Sequence, residues 1–180
     1  RQARSGNVIG GGDWADNRIV PDAISAFSAN QELVVRNPKA TRPWQHVLEP
    51  LSGYLLLASR LYLNQELRGE AFNFGPPASQ NFNVMSVVKE MSKYWDKVKW
   101  ETTKNRSFDE SGLLKLNCDK ALSKISWEPV WNFNETIYYT VEWYKKFYLN
   151  EDDISQLTLN QITHYTNSAI AKGLTWTNAK

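Results

Sequence analysis

The sequence holds one cysteine, Cys118, and two histidines, His46 and His164. A single thiol excludes an internal disulfide and is compatible with a reducing cytoplasm, the compartment expected for this chain. Three such ligands scattered along the sequence argue against a structural zinc site. No apolar run approaches the roughly 18 residues of a membrane span, and no apolar stretch follows the first residues as in a secretory signal. Charge of one sign is also scarce: 21 Lys and Arg against 19 Asp and Glu leave a net +2. Neither nucleic acid nor a membrane is therefore an expected partner. The GxGxxG and GxxxxGK[ST] phosphate-binding spacings are missing as well.

What is present can fold. The 180 residues are 42% hydrophobic and 22% charged, enough to bury a core and unlike a disordered tail. Asn7-Val8-Ile9 opens the chain as a strand and runs into the turn Gly10-Gly11-Gly12. Three adjacent glycines invite a phosphate cradle, but close approach to another loop would require the same residues. Pro21 and Asp22 suit a first helical turn, with Ile24 and Phe27 on one face. Leu33-Val34-Val35 is a β-type run. The apolar positions Leu48, Leu51, Leu55, Ala58 and Tyr62 keep a helical period between Val47 and Leu67. Ala71-Phe72-Asn73-Phe74 reads as a strand, and Asn83 as the cap of a helix with Val84, Val87, Val88, Met91 and Tyr94-Trp95 on its inner face. Val98 to Glu101 and Leu113 to Leu116 read as strands, and Asp119 to Ile125 as a short helix that Trp127-Glu128-Pro129 ends. A late helix starts at Asn134, with Ile137, Val141, Tyr144 and Tyr148 as a packing stripe. Thr158-Leu159-Asn160-Gln161 has capping-box spacing and opens a short final helix. Alternating strands and helices predict an α/β fold. The strands are few and unevenly spaced, so they read as the far edge of a sheet plus a small cap.

The densest chemistry lies between Arg36 and Pro50, Arg36-Asn37-Pro38-Lys39-Ala40-Thr41-Arg42-Pro43-Trp44-Gln45-His46-Val47-Leu48-Glu49-Pro50. Pro38 and Pro43 fix φ and extend the residues before them, predicting a rigid loop. An arginine on such a loop can fork onto a phosphate or carboxylate. The plainer alternative has Arg42 pairing with a surface carboxylate and Trp44 in the core. His46 as an acid or base, Cys118 as a nucleophile and the tryptophans as a sugar-stacking surface are weaker readings than backbone bonding and packing.

Four stretches together resemble a known family: Asn7 to Ala15, Arg18-Ile19-Val20-Pro21-Asp22, the block Arg36 to Leu51, and Phe72-Asn73-Phe74-Gly75-Pro76. Leu114 to Ala121 and Trp127-Glu128-Pro129 fit the same pattern. The resemblance is to the CDP-glucose 4,6-dehydratases, which are NAD-dependent extended short-chain dehydrogenase/reductase enzymes, and to their C-terminal half only. It implies the C-terminal part of an extended Rossmann-type fold with its small nucleotide-sugar subdomain, in residues 1–150, followed by a C-terminal helix and polar tail in 151–180. None of the eight tyrosines is followed four residues later by lysine, so the family's Tyr-x-x-x-Lys pair is absent along with its glycine fingerprint. The expectation is a piece of a longer enzyme that binds no NAD and is inactive alone, with catalytic residues upstream.

In that family NAD takes a hydride from C4 of the sugar, water leaves across C5–C6, and the hydride returns to C6. The resemblance gives this half the grip on a CDP-hexose. Asn7 would meet the pyrophosphate, with Arg18, Ile19 and Val20 lining the pocket. Val34, Val35 and Arg36 would flank base and ribose, Arg42 would clamp the pyrophosphate and Asn73 would add an amide. Glu110 would stand in the last wall, where the family often carries a histidine beside the acid; here the order is Phe108-Asp109-Glu110. The partners so implied are the CDP-sugar, the missing NAD-binding half and further copies of the full-length chain, in deoxysugar synthesis for surface polysaccharide. A non-catalytic nucleotide-binding or assembly module is the alternative.

Overall fold

The computed structural model describes residues 2–96, 98–103, 114–150 and 153–177. The chain enters on β1 (Gln2–Ser5) and β2 (Asn7–Ile9), one extended run that changes partner at Gly6. β1 pairs in parallel with β6 (Ala71–Phe74), and β2 with β5 (Trp44–His46). The Gly6 amide donates to Phe74 O at 3.1 Å and the Asn7 amide to Pro43 O at 2.9 Å. A Cβ at Gly6 would lie 2.3 Å from Pro43 O, so only glycine allows the two backbones this close. β3 (Glu32–Val35) pairs in parallel with β8 (Lys99–Thr102), and β4 (Thr41–Arg42) antiparallel with β7 (Phe82–Asn83). Parallel strands need crossovers, supplied by α1 (Ile19–Ser28), α2 (Leu48–Leu63) and α3 (Val84–Met91). The chain then runs through α4 (Asp119–Ile125), α5 (Phe133–Leu149) and α6 (Ile154–Ala171). Among the described residues no helix is long and apolar enough to cross a membrane.

The main core forms where α1, α3 and α5 cover β3: Ile24, Phe27, Val35, Val87, Met91, Ile137, Val141 and Tyr144 are all buried there. Ile137, Val141 and Tyr144 thus pack within this chain, while Tyr148 at the end of their stripe is 42% exposed. A second core joins Leu56 and Leu57 of α2 to Phe72 and Phe74 of β6, Ile125 of α4 and Trp127.

Several boundaries and faces differ from the sequence-based expectation. α2 buries Glu49, Gly53, Leu56 and Leu57, whereas Leu51, Leu55 and Tyr62 of the expected inner stripe point outward, Tyr62 at 89% exposure. A polar Glu49 and a Gly53 seated against the Phe74 ring set the phase of this helix, and neither scores as apolar. α5 is capped by Asn132, not Asn134: Asn132 Oδ1 accepts the Glu135 amide at 3.0 Å while Glu135 Oε2 accepts the Asn132 amide at 2.8 Å. α6 begins at its Asp153 cap and runs 18 residues, so Thr158 is interior, its hydroxyl donating to Ile154 O at 2.8 Å. Residues 114–116 form no strand; Leu113 lies outside the described residues.

The glycine turn is explained by α5. A Cβ on Gly11 would sit 2.0 Å from Trp143 Cδ2, so the turn presses onto the indole as only glycine allows. One residue on, the Tyr144 hydroxyl accepts the Asp13 amide at 2.9 Å and donates to Asp13 O at 2.6 Å. Burial pushes this phenol up to about 12, so it keeps the proton it donates.

Glu49 ties the two ends of the chain together. Its carboxylate is buried and accepts from the Val130 amide at 2.9 Å, the Trp131 amide at 2.7 Å and the Tyr165 hydroxyl at 2.8 Å. Tyr165 also meets Ser52 Oγ at 3.0 Å, and the Lys172 ammonium donates to Val130 O. Desolvation outweighs these donors and pushes the carboxyl up to about 7.

Two outcomes follow from this packing. Gly11→Ala should destabilise the chain by about 1–3 kcal/mol, because the indole cannot move without disturbing the core; urea unfolding measures it. Glu49 holds its proton more tightly folded than unfolded, so its contribution falls as pH rises from its ordinary 4.5 to about 7, then levels off. Against Glu49→Gln in denaturant titrations at several pH values, the wild type should show this extra decline, on the order of 3 kcal/mol. A pH-independent difference between the two would refute it.

Candidate functional site

A cleft of about 1260 Å³ opens beside the C-terminal end of β2. It is bordered by Asn7, Val8 and Ile9, by the segment around Asp13 to Asp22, and by Val34, Arg36, Asn37, Arg42, Trp44, Val84 and Thr103. Ligand crevices of open α/β sheets lie at the carboxyl ends of strands, where this one does.

Its rear wall is the Pro38–Trp44 loop. The prolines alone do not make it rigid. The Val84 amide donates to Ala40 O at 2.9 Å and the Met85 amide to Pro38 O at 3.0 Å. These are donors of the first turn of α3, which have no partner inside their own helix. Trp44 Nε1 donates to Phe82 O at 3.0 Å, and Phe82 stacks on Phe133 at 3.9 Å between centroids. Arg42 lies on β4 opposite Phe82 and is 9% exposed, with Nη1 donating to Thr41 O at 2.8 Å.

The outer wall carries two further guanidiniums, both held by carboxylates. Arg18 meets Asp13 Oδ2 at 3.2 Å. Arg36 meets Asp22 Oδ2 at 3.6 Å and donates from Nη1 to Asn17 Oδ1 at 3.2 Å. Asn17 itself sits at φ 64°, its amide donating to Asp22 Oδ1 at 3.1 Å. Asparagine tolerates this left-handed conformation better than most residues.

The cleft therefore gathers Asn7, Arg18, Ile19, Val20, Val34, Arg36 and Arg42 from the expected site. Val35 points away into the core, as the two-residue alternation of β3 demands. Asn73 does not line the cleft; its Nδ2 donates to Asn117 O at 3.0 Å. Glu110 lies outside the described residues. Sequence reasoning passed over Asp13 and Asn17 and treated Asp22 only as a helix-start residue. The five-residue spacings Asp13–Arg18 and Asn17–Asp22 were the available signal.

Among its described residues the cleft offers three guanidiniums against two carboxylates and no histidine, cysteine, tyrosine or lysine. A lining with an excess of guanidiniums is suited to an anionic group. His46 is buried under Trp131 and cannot serve, since desolvation lowers it to about 3 and it stays neutral. Its Nδ1 accepts the Leu48 amide at 3.3 Å. Burial also pushes the Cys118 thiol up, away from a reactive thiolate. In the glycine turn, Gly11 packs against the Trp143 indole.

No family model matches the sequence. CDP-glucose 4,6-dehydratase of Salmonella typhimurium is 43% identical over 150 residues, covering 83% of this chain and 42% of that protein. The chain thus spans less than half the length of this relative. Among solved structures, UDP-glucuronic acid 4-epimerase from Bacillus cereus, in complex with UDP-glucuronic acid and NAD, superposes with a TM-score of 0.65 at 14% identity, over 81% of this chain and 45% of the epimerase. dTDP-glucose 4,6-dehydratase from Bacillus anthracis, in complex with NAD, gives 0.62 at 20% identity, over 80% and 44%. In sequence the chain is a relative of CDP-glucose 4,6-dehydratase, and in fold it is α/β and corresponds to a C-terminal portion of the extended Rossmann-type dehydratases and epimerases.

Proposed function

We propose that this chain is the substrate-binding part of a CDP-glucose 4,6-dehydratase and holds the nucleoside diphosphate of a CDP-hexose in the arginine-lined cleft. The observation that carries this reading is Arg42: an arginine nine-tenths buried as a residue, on a loop pinned to α3, sharing the cleft with two more arginines. A diphosphate carries charge that guanidiniums meet through paired, charge-assisted bonds without becoming deprotonated themselves. Asn7, at the start of β2, adds an amide to the same space. NAD, when bound by the rest of such an enzyme, supplies the hydride chemistry. This chain's residues fix the sugar nucleotide so that its hexose projects toward that chemistry. The outward-facing Leu51, Leu55 and Tyr62 of α2 support a further polypeptide unit, the NAD-binding half, packing on this chain. The reading makes the full enzyme a cytoplasmic lyase of deoxysugar synthesis.

Calorimetric titration with CDP and with CDP-glucose tests it. The wild-type chain should bind both saturably. Arg42→Ala should weaken binding about 10- to 100-fold, the range of a lost charge-assisted bond. Arg42→Lys should recover part of the loss, since it restores the charge without the fork. Unchanged affinity in a folded Arg42→Ala would overturn the clamp.

A further inference from the structure

The segment from Asp13 to Arg18 borders the cleft, yet much of what fixes its path comes from α5, more than a hundred residues later. Trp14 meets the Tyr144 ring edge-on at 5.3 Å and Phe147 at 5.1 Å between centroids. Beside these rings the Tyr144 hydroxyl bonds both backbone atoms of Asp13. Resting on the reading of the cleft as a nucleoside diphosphate site, we propose that Tyr144 and Asp13 are positioning residues for that ligand. The Tyr144 hydroxyl holds the Asp13 backbone, and the Asp13 carboxylate aims the Arg18 guanidinium at the diphosphate.

Tyr144 is fully buried and does not border the cleft, so whatever it contributes to binding passes through another residue. Asp13 is that residue, because each of its polar atoms has a partner. Its amide donates to the Tyr144 oxygen at 2.9 Å and its carbonyl accepts the same hydroxyl at 2.6 Å. Oδ1 accepts the Ala15 amide at 3.1 Å, and Oδ2 accepts Arg18 Nη1 at 3.2 Å. Four bonds on one residue leave its carboxylate a single orientation, with the far end of the chain of contacts on a cation.

The sign of the effect follows from charge. A carboxylate beside a diphosphate opposes it electrostatically, so the benefit of Asp13 is geometric. The Arg18 side chain is 64% exposed, and a long side chain without a partner there spreads over many rotamers. Its backbone is already set, since Arg18 O accepts the Asp22 amide at 2.9 Å in the first turn of α1. Asp13 fixes the remaining freedom before the ligand arrives. Tyr144→Phe releases this grip while leaving every charge of the cleft in place, which separates position from electrostatics.

Calorimetry with CDP on the full chain tests the assignment in a double-mutant cycle of Tyr144→Phe and Arg18→Ala. Arg18→Ala should weaken CDP about tenfold and Tyr144→Phe about 3- to 10-fold, a share of one charge-assisted bond. In the Arg18→Ala background Tyr144→Phe should have no further effect. Thr140→Val removes another buried hydroxyl of α5, one that bonds only Thr136 O at 2.8 Å, and should leave CDP affinity unchanged. Should circular dichroism show that Tyr144→Phe does not fold, Asp13→Glu takes its place. It keeps the charge but displaces it by one methylene, and should show the same loss and the same dependence on Arg18. Wild-type affinity in the folded variant, a loss that persists undiminished without Arg18, or an equal loss in Thr140→Val overturns the positioning role. Unchanged affinity in Arg18→Ala overturns it too while leaving the Arg42 clamp standing. Failure of CDP to bind the folded wild type overturns the site itself.

Discussion

The buried carboxylate of Glu49 is the contact on which the arrangement of this chain depends. It takes the amides of Val130 and Trp131 and so fixes the path of the chain just before α5. The Asn132–Glu135 capping box then starts α5 in a defined direction. Along that helix, Trp143 meets the glycine turn and Tyr144 grips both backbone atoms of Asp13. Asp13 in turn holds Arg18 at the mouth of the cleft. A carboxylate more than one helix away from the site thereby determines where one of its cations stands. Burying such a group is costly, and its three donors together with the nearby Lys172 offset part of that cost.

The cleft shows a related economy. Its three guanidiniums are held before any ligand arrives: Arg18 and Arg36 by carboxylates, Arg42 by the backbone around it. Side chains ordered in advance lose less freedom on binding, which leaves more of the electrostatic attraction as affinity. The two carboxylates also keep the excess positive charge of the cleft small. The loop that carries Arg42 gets its stiffness from unpaired amides at the start of α3, an arrangement in which each partner satisfies groups the other could not.

The packing of α2 has a different logic from that of the other helices. Its inner face is set by one charged residue and one glycine, and its leucine-rich face is turned outward. Exposed apolar side chains also lie at the end of α5 and on α6, with Leu149, Leu159 and Ile170 among them.

Sequence alone determined the α/β class, the strands at Asn7–Ile9 and Ala71–Phe74, the Asn83 cap and the inner face of α3, because these depend on local periodicity and on groups within a few residues. It also marked Arg42 and its neighbours, since two prolines and clustered guanidiniums are legible in one stretch. Only tertiary structure decided the rest. The phase of α2 was set by Val130, Trp131 and Tyr165, all roughly 80 or more positions away from Glu49. The glycine turn was claimed by an indole more than a hundred residues on, and Val35 was separated from Val34 by which side of β3 met the core. Asp13, Asn17 and Asp22 became cleft residues only when their loop folded against Arg18 and Arg36. Hydrogen bonds of buried polar groups are satisfied by whatever the fold brings near, and no periodicity in a sequence records such partners.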